Sequence, residues 1–294
     1  MIHTLTRETP VIVQGITGRM GRTHAALMRA YGTNIVGGTS GRTDIKEAAG
    51  VPVFTDCADA VVATGAVASV IMAPPPETLA AVREALAAGI KLVVTVAEGV
   101  PQHDAITIGR AVKRADAVWV GASTPGLAIP GQVKLGFLPD VCLKPGPVGI
   151  MTKSGTLSYE VGYRLATEGM GQSLWVGVGG DPVKGVRFAD LLPMFFDDSR
   201  TETIVLVGEV GGTEEEECAE AYARLGRRKP LHALIAGREA KEGVSMGHAG
   251  ALVHGESGTL ASKSRRLTEA GARVHASLDG LVTALVGNVR VLRR

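Results

Sequence analysis

Short runs of β-branched and aliphatic residues alternate with alanine-rich stretches along most of the chain. In the first part this pattern predicts strands at residues 11–14, 34–37, 69–72, 91–96 and 118–120, and helices at 21–31, 56–64, 76–88 and 104–115. Most of these strands are apolar at consecutive positions, as in a parallel sheet that is covered by helices on both faces. We therefore expect a doubly wound α/β domain over residues 1–126.

The alternation stops at residues 127–146, where prolines and glycines interrupt any period, and this stretch is interpreted as a linker. It resumes over residues 147–294 and indicates a second α/β domain. The strands are predicted at 148–152, 174–178, 203–207, 232–236 and 273–276, and the helices at 157–168, 188–196, 214–225, 259–269 and 278–285.

Composition narrows the class of protein. The chain has 294 residues, of which 45% are hydrophobic, which is enough for two cores, and a formal net charge of +2 that favours neither nucleic acid nor a membrane surface. Cys57, Cys142 and Cys218 are widely separated, which is typical of a reducing compartment and predicts no metal site. With no signal-peptide core and no apolar run of roughly 18 to 20 residues, we expect a soluble cytoplasmic protein.

The first candidate site is the turn Gly15-Ile-Thr-Gly-Arg-Met-Gly21, between the first strand and the first helix. Glycines there let backbone amides approach an anion at the helix start, where the helix dipole favours phosphate. A tight turn without a ligand remains the alternative.

The second strand does not end in the acidic residue that usually binds the ribose in a nicotinamide site. Arg42 follows that strand instead and suits an extra ribose phosphate, which both NADP and coenzyme A carry. The loops at 73–76, which includes Pro74, and at 96–101 follow later strands and are expected to line the same crevice. In the second loop, Glu98 is either a ligand-facing acid or an ordinary helix-start residue.

The second candidate site combines a helix start with a histidine. Ser154, Gly155 and Thr156 lie between a predicted strand and a helix, and His248 is flanked by glycines on a polar loop. A neutral imidazole attacks phosphorus readily, and a carboxylate such as Glu209 at a strand end would fix its tautomer. The alternatives are that Ser154 is a simple helix cap and that Glu209 caps the helix of residues 214–225.

Eight motifs in one order resemble the alpha subunit of succinyl-CoA synthetase, the succinate–CoA ligase family, over essentially the whole chain. They are Gln14-Gly-Ile-Thr-Gly18, Tyr31-Gly-Thr33, Val36-Gly-Gly38, Glu98-Gly-Val-Pro101, Ser154-Gly-Thr-Leu-Ser-Tyr-Glu160, Gly177-Val-Gly-Gly-Asp-Pro182, Gly208-Glu-Val-Gly-Gly212 and Met246-Gly-His-Ala-Gly-Ala251.

This resemblance implies a Rossmann-type CoA-binding domain and a flavodoxin-like ligase domain. It also implies an ATP-grasp beta subunit, in an alpha–beta heterodimer or heterotetramer, that binds ATP or GTP with Mg²⁺. By the same resemblance, His248 is the phosphorylated histidine, Glu209 supports it, Ser154, Gly155 and Thr156 open the helix that faces the phosphate, and Tyr159 lies near the acid. The residues expected to contact CoA are Thr17, Gly18, Arg19, Met20, Arg42, Pro74, Val96, Ala97 and Glu98.

Two departures from the family pattern concern the acid and the CoA phosphate. Where the family has Asn and Cys in a loop expected near the thiol and the acyl group, this chain has Ser123 and Thr124. Arg42 stands where the family's loop carries a lysine. Because the acyl loop is altered, the acid need not be succinate itself, and we expect a ligase for succinate or a related dicarboxylate such as malate.

Two other functions stay open at this point. The segment Gly15 to Arg22 also resembles the fingerprint of NADP-dependent reductases of the dihydrodipicolinate type, in which Arg22 and Arg42 would face a ribose phosphate. A non-catalytic CoA-binding regulator would retain the first domain and lack the phosphoryl-transfer chemistry.

Overall fold

The computed structural model of the chain describes residues 1–237, 248 and 257–292, with side chains described to residue 287. The chain divides into two units, Met1–Leu138 with Val183–Val186, and Pro139–Pro182 with Arg187–Arg294. Of the motif Met246 to Ala251, His248 is described and the other residues lie outside the described part of the chain.

The first unit is built on a mostly parallel sheet. Its elements are β1 (Val11–Gln14), α1 (Arg19–Tyr31), β2 (Ile35–Thr39), β3 (Glu47–Ala48), β4 (Val51–Phe54), α2 (Cys57–Thr64), β5 (Ala68–Ile71), α3 (Thr78–Ala87), β6 (Leu92–Thr95), α4 (Gln102–Arg114), β7 (Val118–Gly121), β8 (Gly126–Ile129) and β9 (Val133–Gly136). The strand order is β3-β4-β2-β1-β5-β6-β7, and β3 is the antiparallel edge strand. The order reverses between β1 and β5, and such a switch point opens a ligand crevice at the carboxyl ends of the strands.

Apolar strands and helix faces build the core of this unit. β1, β5 and β6 are buried at every position, as their mostly apolar sequences predict. Ile12, Val93 and Trp119 pack in one cluster with Ile108 from α4. The indole of Trp119 donates a hydrogen bond to Thr95 Oγ1 over 2.8 Å, so its polar atom is satisfied inside the core.

The second unit has a second parallel sheet. Its elements are β10 (Pro145–Thr152), α5 (Gly155–Thr167), β11 (Gln172–Gly177), α6 (Phe188–Asp197), β12 (Thr203–Glu209), α7 (Glu214–Arg224), β13 (Leu231–Ala236), α8 (Leu260–Glu269), β14 (Arg273–His275) and α9 (Leu278–Leu292). Within this unit the strands run in the order β14-β13-β12-β10-β11, and each neighbouring pair is parallel. In order of appearance this is 5-4-3-1-2, the flavodoxin-like arrangement.

The linker prediction for residues 127–146 needs correction. β8 pairs with β9 in an antiparallel hairpin from Gly126 opposite Gly136 to Ile129 opposite Val133. The prolines lie at the turns of this structure. Pro130 lies in the hairpin turn, and Pro139 precedes a short 3-10 helix at Asp140–Cys142. The sequence did not predict β3 and β4, because both strands are short and Pro52 interrupts the run of β-branched residues in β4. Among the helices that the structure describes, none is long and apolar enough to cross a membrane.

Candidate active site

The turn between β1 and α1 forms one wall of a groove of about 610 Å³ at the carboxyl end of the first sheet. The chain turns sharply at Gly15, whose φ of 76° lies in the region that favours glycine. Gly21 lies against this turn so closely that a Cβ there would be 2.1 Å from the Gly15 carbonyl oxygen. The glycines at these two positions are therefore required by the fold of the turn.

The start of α1 is suited to an anion. Gly18 occupies the N-cap position and supplies no side-chain hydrogen bond, so the first backbone amides of the helix have neither a cap nor an intrahelical acceptor. The first turn contains Arg19 and Arg22 and no acidic residue. Positive side chains are unfavourable at the positive end of a helix dipole unless an anion lies there. The residues present therefore fit the phosphates of a nucleotide such as CoA.

The groove contains five of the residues predicted to contact CoA, namely Thr17, Gly18, Arg19, Met20 and Pro74. Arg42 is not among the described residues that line it. Its guanidinium pairs with Asp44 over 3.0 Å, and both side chains are mostly exposed. Val96, Ala97 and Glu98 follow β6 at the same edge of the sheet but also lie outside the groove lining.

The floor of the groove includes residues that the sequence analysis did not select. Gln14 Nε2 donates to Glu84 Oε2 over 3.3 Å, and Gln14 Oε1 accepts a hydrogen bond from Ser69 Oγ over 2.8 Å. The other carboxylate oxygen of Glu84 accepts from the backbone amide of Cys57 over 2.8 Å. The sequence does not predict Glu84 as a groove residue, because it lies on α3 and reaches the groove only through the packing of that helix on the sheet.

Ser123 and Thr124 lie in the loop after β7 in the first unit. The backbone amide of Ser123 donates to the Ala97 carbonyl over 2.8 Å, which ties the loops after β6 and β7 together. Thr124 is 2% exposed, and its hydroxyl accepts a hydrogen bond from the Gly126 amide over 2.9 Å. The hydroxyl of Thr124 thus shapes its own loop.

His248 and Glu209 form a close pair in the second unit. His248 Nδ1 lies 2.6 Å from Glu209 Oε2, and the side chains are 26% and 10% exposed. A neutral imidazole that donates its Nδ1 proton to this carboxylate carries its lone pair on Nε2. The pair brings together two residues that are 39 positions apart in the sequence.

The imidazole also lies against Gly180, three residues after β11. A Cβ at Gly180 would be 2.5 Å from His248 Cγ. Glu209 ends β12, and β12 and β11 are the two neighbours of β10. His248 therefore contacts residues at the carboxyl ends of both strands that flank β10, the strand that leads into α5.

α5 begins at this same edge of the sheet. Ser154 is its N-cap, and Ser154 Oγ accepts a hydrogen bond from the Leu157 amide over 3.3 Å. The hydroxyl thus acts as an ordinary helix cap, as the simpler interpretation expected. Gly155 and Thr156 form the first turn, where backbone amides lack intrahelical acceptors and attract anions. Glu209, in contrast, pairs with His248, and Thr213 is the N-cap of α7.

Tyr159 lies on the second turn of α5. Burial, together with the nearby Cys142 thiol, raises the pKa of Tyr159 to about 12, so its phenol stays protonated at neutral pH. Its ring centroid is 6.3 Å from that of Trp175. A protonated phenol is able to donate a hydrogen bond to a carboxylate.

Comparison with known proteins identifies the family. A family model described as a CoA binding domain matches residues 6–99, and one described as CoA-ligase matches residues 151–273. The alpha subunit 2 of the ADP-forming succinate–CoA ligase of Archaeoglobus fulgidus is 45% identical over 267 residues, which cover 91% of this chain and 92% of the relative. The chain belongs to the succinate–CoA ligase alpha-subunit family.

Other relatives of this chain are named for acids other than succinate. A subunit of the ADP-forming sulfoacetate–CoA ligase of Bilophila wadsworthia is 41% identical, with 96% of this chain and 98% of the relative covered. The alpha subunit of the malate–CoA ligase of Methylorubrum extorquens is 39% identical, with 91% of each chain covered. Membership of the succinate–CoA ligase family therefore does not by itself choose the acid.

The fold also matches a solved structure. ATP citrate lyase from Methanothrix soehngenii, in complex with citrate and coenzyme A, superposes with a TM-score of 0.85 at 22% identity over 99% of this chain. The chain spans about half of that structure, 51% of its length, and the likeness shows the fold alone. The predicted Rossmann-type and flavodoxin-like folds are confirmed, and the chain is the alpha subunit of an acid–CoA ligase. The reductase alternative is set aside, because the family match extends over both units.

Proposed function

We propose that this chain forms an acyl-CoA thioester from a carboxylic acid, CoA and a nucleoside triphosphate, with His248 as a transient phosphoryl carrier. The observation that carries the proposal is the 2.6 Å contact between His248 Nδ1 and Glu209 Oε2. With Nδ1 bound to the carboxylate, the lone pair of the half-buried imidazole lies on Nε2, which is then able to act as a nucleophile. The ring lies at the sheet edge where α5 begins.

The first step is phosphorylation of the imidazole. His248 Nε2 attacks the terminal phosphorus with its lone pair, and the bond from that phosphorus to the leaving nucleoside diphosphate breaks. The imidazole then holds a positive charge that the Glu209 carboxylate stabilises through the Nδ1 proton. The dipole and amides at the start of α5 stabilise the negative phosphoryl group.

In the second step the acid carboxylate attacks the phosphorus and Nε2 leaves with its electron pair, which regenerates the neutral imidazole and yields an acyl phosphate. The CoA thiol, after losing its proton, then attacks the acyl carbon and releases phosphate. In the first unit, the amides at the start of α1 and the groove beside Thr17, Met20 and Pro74 hold CoA. We propose the same role for Arg42 and for Val96, Ala97 and Glu98 at the rim of the sheet edge.

The acid is proposed to be succinate or a related dicarboxylate such as malate. Relatives at similar identity are named for succinate, malate and sulfoacetate, all of which carry a second anionic group. Ser123, Thr124 and Tyr159 are proposed to recognise the acid. The hydroxyls of Ser123 and Tyr159 suit an oxygen-rich substrate, and Thr124 shapes the loop that carries Ser123.

The triphosphate is proposed to bind on a separate ATP-grasp beta subunit, with Mg²⁺, in an alpha–beta heterodimer or heterotetramer. The names of the relatives support this, because each describes a subunit of a ligase.

The proposal is tested on the chain purified with its co-expressed partner subunit. The complex is incubated with γ-labelled ATP, and the acid-labile, base-stable label expected of phosphohistidine is measured. We expect His248→Ala to abolish the label and the exposed-site control His103→Ala to retain it. A label that persists in His248→Ala would disprove the assignment.

The same preparation separates the ligase from a CoA-binding regulator. A ligase discharges the label when CoA and the correct acid are added together, so succinate, malate and sulfoacetate are each added with CoA and the rate of label loss is compared. CoA binding in a complex that ATP never labels would instead favour the regulator.

A further inference from the structure

A cluster of buried charged residues lies behind the Glu209 and His248 pair, with Glu214 at 3.6 Å from Lys153 Nζ on its border. We define the lysine–glutamate network as Lys153, Glu215 and Lys263, whose side chains are 5%, 0% and 0% exposed. They come from the β10–α5 junction, α7 and α8, three elements that surround the end of β12. The sequence analysis did not select any of them.

Lys263 is the centre of the contacts to the backbone. Its ammonium donates to the Glu209 carbonyl oxygen over 2.7 Å and to the Gly211 carbonyl oxygen over 2.6 Å, and it also pairs with the Glu215 carboxylate. An ammonium group has three protons, so these three acceptors satisfy it. Burial lowers the pKa of Lys263, while the Glu215 carboxylate opposes that shift.

Glu215 binds the backbone amide of Glu209, the residue whose carbonyl oxygen Lys263 binds. Its Oε1 accepts a hydrogen bond from the Glu209 backbone amide over 3.1 Å and lies 2.9 Å from Lys153 Nζ. Burial works against the charged carboxylate, but the two lysines outweigh it and lower the pKa of Glu215. Both backbone polar groups of Glu209 are therefore bound by this network, while its side chain extends to His248.

The contact with Lys153 links Glu209 to the helix start. Lys153 directly precedes Ser154, the N-cap of α5, and its backbone amide donates to the Val207 carbonyl over 3.1 Å. Although burial opposes it, the neighbouring carboxylates, Glu215 first, raise the pKa of Lys153. One carboxylate, that of Glu215, thus joins the segment that carries Glu209 to the segment that carries the α5 N-terminus.

Such a network is costly as a means of stabilisation. Desolvating buried charges often cancels their attraction, and apolar residues of similar size give equal stability. Its geometry, in contrast, specifies where the Glu209 backbone lies relative to α5. Reactions that depend on position lose roughly 100-fold in rate when a group is displaced by about 1 Å.

We propose that Lys263 and Glu215, supported by Lys153, are positioning residues that hold the Glu209 carboxylate in register with His248 and the start of α5. They act through Glu209, whose backbone amide and carbonyl they bind. The proposal rests on the proposed function, because it concerns the phosphorylation of His248.

The test compares two lysines that each bind backbone carbonyls in the second unit. Lys263→Met removes the network's central charge. Lys229→Met is the matched control, because Lys229 Nζ donates to the carbonyl oxygens of Phe195 and Asp198 over 2.7 and 2.6 Å, on another part of this unit. Both variants are made in the complex with the partner subunit, and the single-turnover rate of His248 labelling by γ-labelled ATP is measured.

We expect Lys263→Met to lower the labelling rate roughly 10- to 100-fold, to lower kcat accordingly and to leave the KM for CoA unchanged. Lys263→Arg, which keeps the charge, should recover part of the rate, and Lys229→Met should label at the wild-type rate. In the wild type, the Nδ1 proton of His248 should give a downfield proton resonance that is lost or shifted in Lys263→Met only.

The outcomes separate this inference from the proposed function. If the wild type is never labelled, the proposed function fails. If the wild type is labelled and folded Lys263→Met is labelled equally fast, the positioning role is wrong. Where Lys263→Met does not fold, Lys153→Met serves as the second variant, and a wild-type labelling rate there overturns the inference.

Discussion

Gly180 determines whether the His248 ring fits where the structure places it. The contact of 2.5 Å that a Cβ would make is shorter than any real contact between a Cβ and a ring carbon, so a methyl group there must displace the ring. Glu209 binds the same imidazole through Nδ1. The ring is therefore held by a carboxylate at a place where the chain leaves no room for a side chain at position 180.

We expect Gly180→Ala to lower His248 labelling at least about tenfold, because the ring moves away from Glu209 and the α5 start. Gly287→Ala is the control, since a Cβ at Gly287 meets nothing within 4 Å. Labelling is measured with γ-labelled ATP in the complex with the partner, and circular dichroism checks the fold. Wild-type labelling in Gly180→Ala would show that the ring does not depend on this contact.

At the scale of elements, the helix α1 packs so closely on the β1–α1 turn that position 21 has room only for glycine. Gly21 belongs to the first turn of α1, yet it lies against the Gly15 carbonyl. The atoms that a Cβ at position 21 would meet are backbone atoms of Gly15 and Ile16, which cannot move aside as the end of a flexible side chain would.

Gly21→Ala is expected to weaken CoA binding at least about tenfold and to destabilise the protein by about 2 kcal/mol or more, because the turn must open. Gly109→Ala in α4 is the control, since its nearest neighbour, Trp119 Cζ3, is 4.0 Å from the added Cβ. Calorimetric titration with CoA and urea unfolding measure the two effects. A Gly21→Ala variant with unchanged affinity would contradict the assignment of the turn to CoA.

Another pair of elements, β13 and β14, has a titratable contact. His232 Nδ1 lies 3.0 Å from His275 Nε2, and the two rings are stacked. Burial, with help from His275 and Arg273, lowers the pKa of His232 to about 4, and burial also lowers the pKa of His275. The unfolded imidazole has a pKa of about 6.5.

The unfolded chain therefore binds a proton first as the pH falls, and the free energy of unfolding should decrease between about pH 6.5 and pH 4. For His232 the loss is on the order of 1 to 3 kcal/mol. Urea unfolding at pH 5 and pH 7.5 measures it, and His232→Leu should reduce the difference, while the exposed-site control His103→Leu should not. An equal pH dependence in His232→Leu and wild type would exclude His232 as the cause.

At the scale of the whole molecule, the two candidate sites lie in different units. The groove with the α1 start belongs to the first unit, and His248 with the α5 start belongs to the second. CoA binding and phosphorylation should therefore be separable by measurement.

CoA at about 100 times its Kd should stabilise the protein by about 2.7 kcal/mol, and hydrogen exchange should slow at residues 17–21 and 39–41 because they line the groove. His248→Ala should show the same protection, since it alters only the second unit. Protection confined to the second unit would contradict the placement of CoA.

The sequence by itself determined the layered architecture. Apolar runs such as Val11 to Val13 are typical of a sheet that is covered on both faces, and the glycines that follow β1 mark the turn. Its motifs also identified the family, now confirmed, and selected Glu209 and His248, which the structure brings to 2.6 Å.

Tertiary structure alone decided which distant groups meet. The strands of residues 126–136 appear only when they pair, because their glycines and Pro130 hide the local pattern. In the sequence, Glu215 and Lys263 resemble solvent-facing helix residues and Lys153 resembles a residue of an exposed turn, and only the tertiary packing buries the three together. Periodicity records which face of an element is apolar, whereas a buried polar contact depends on chain segments that local sequence does not relate.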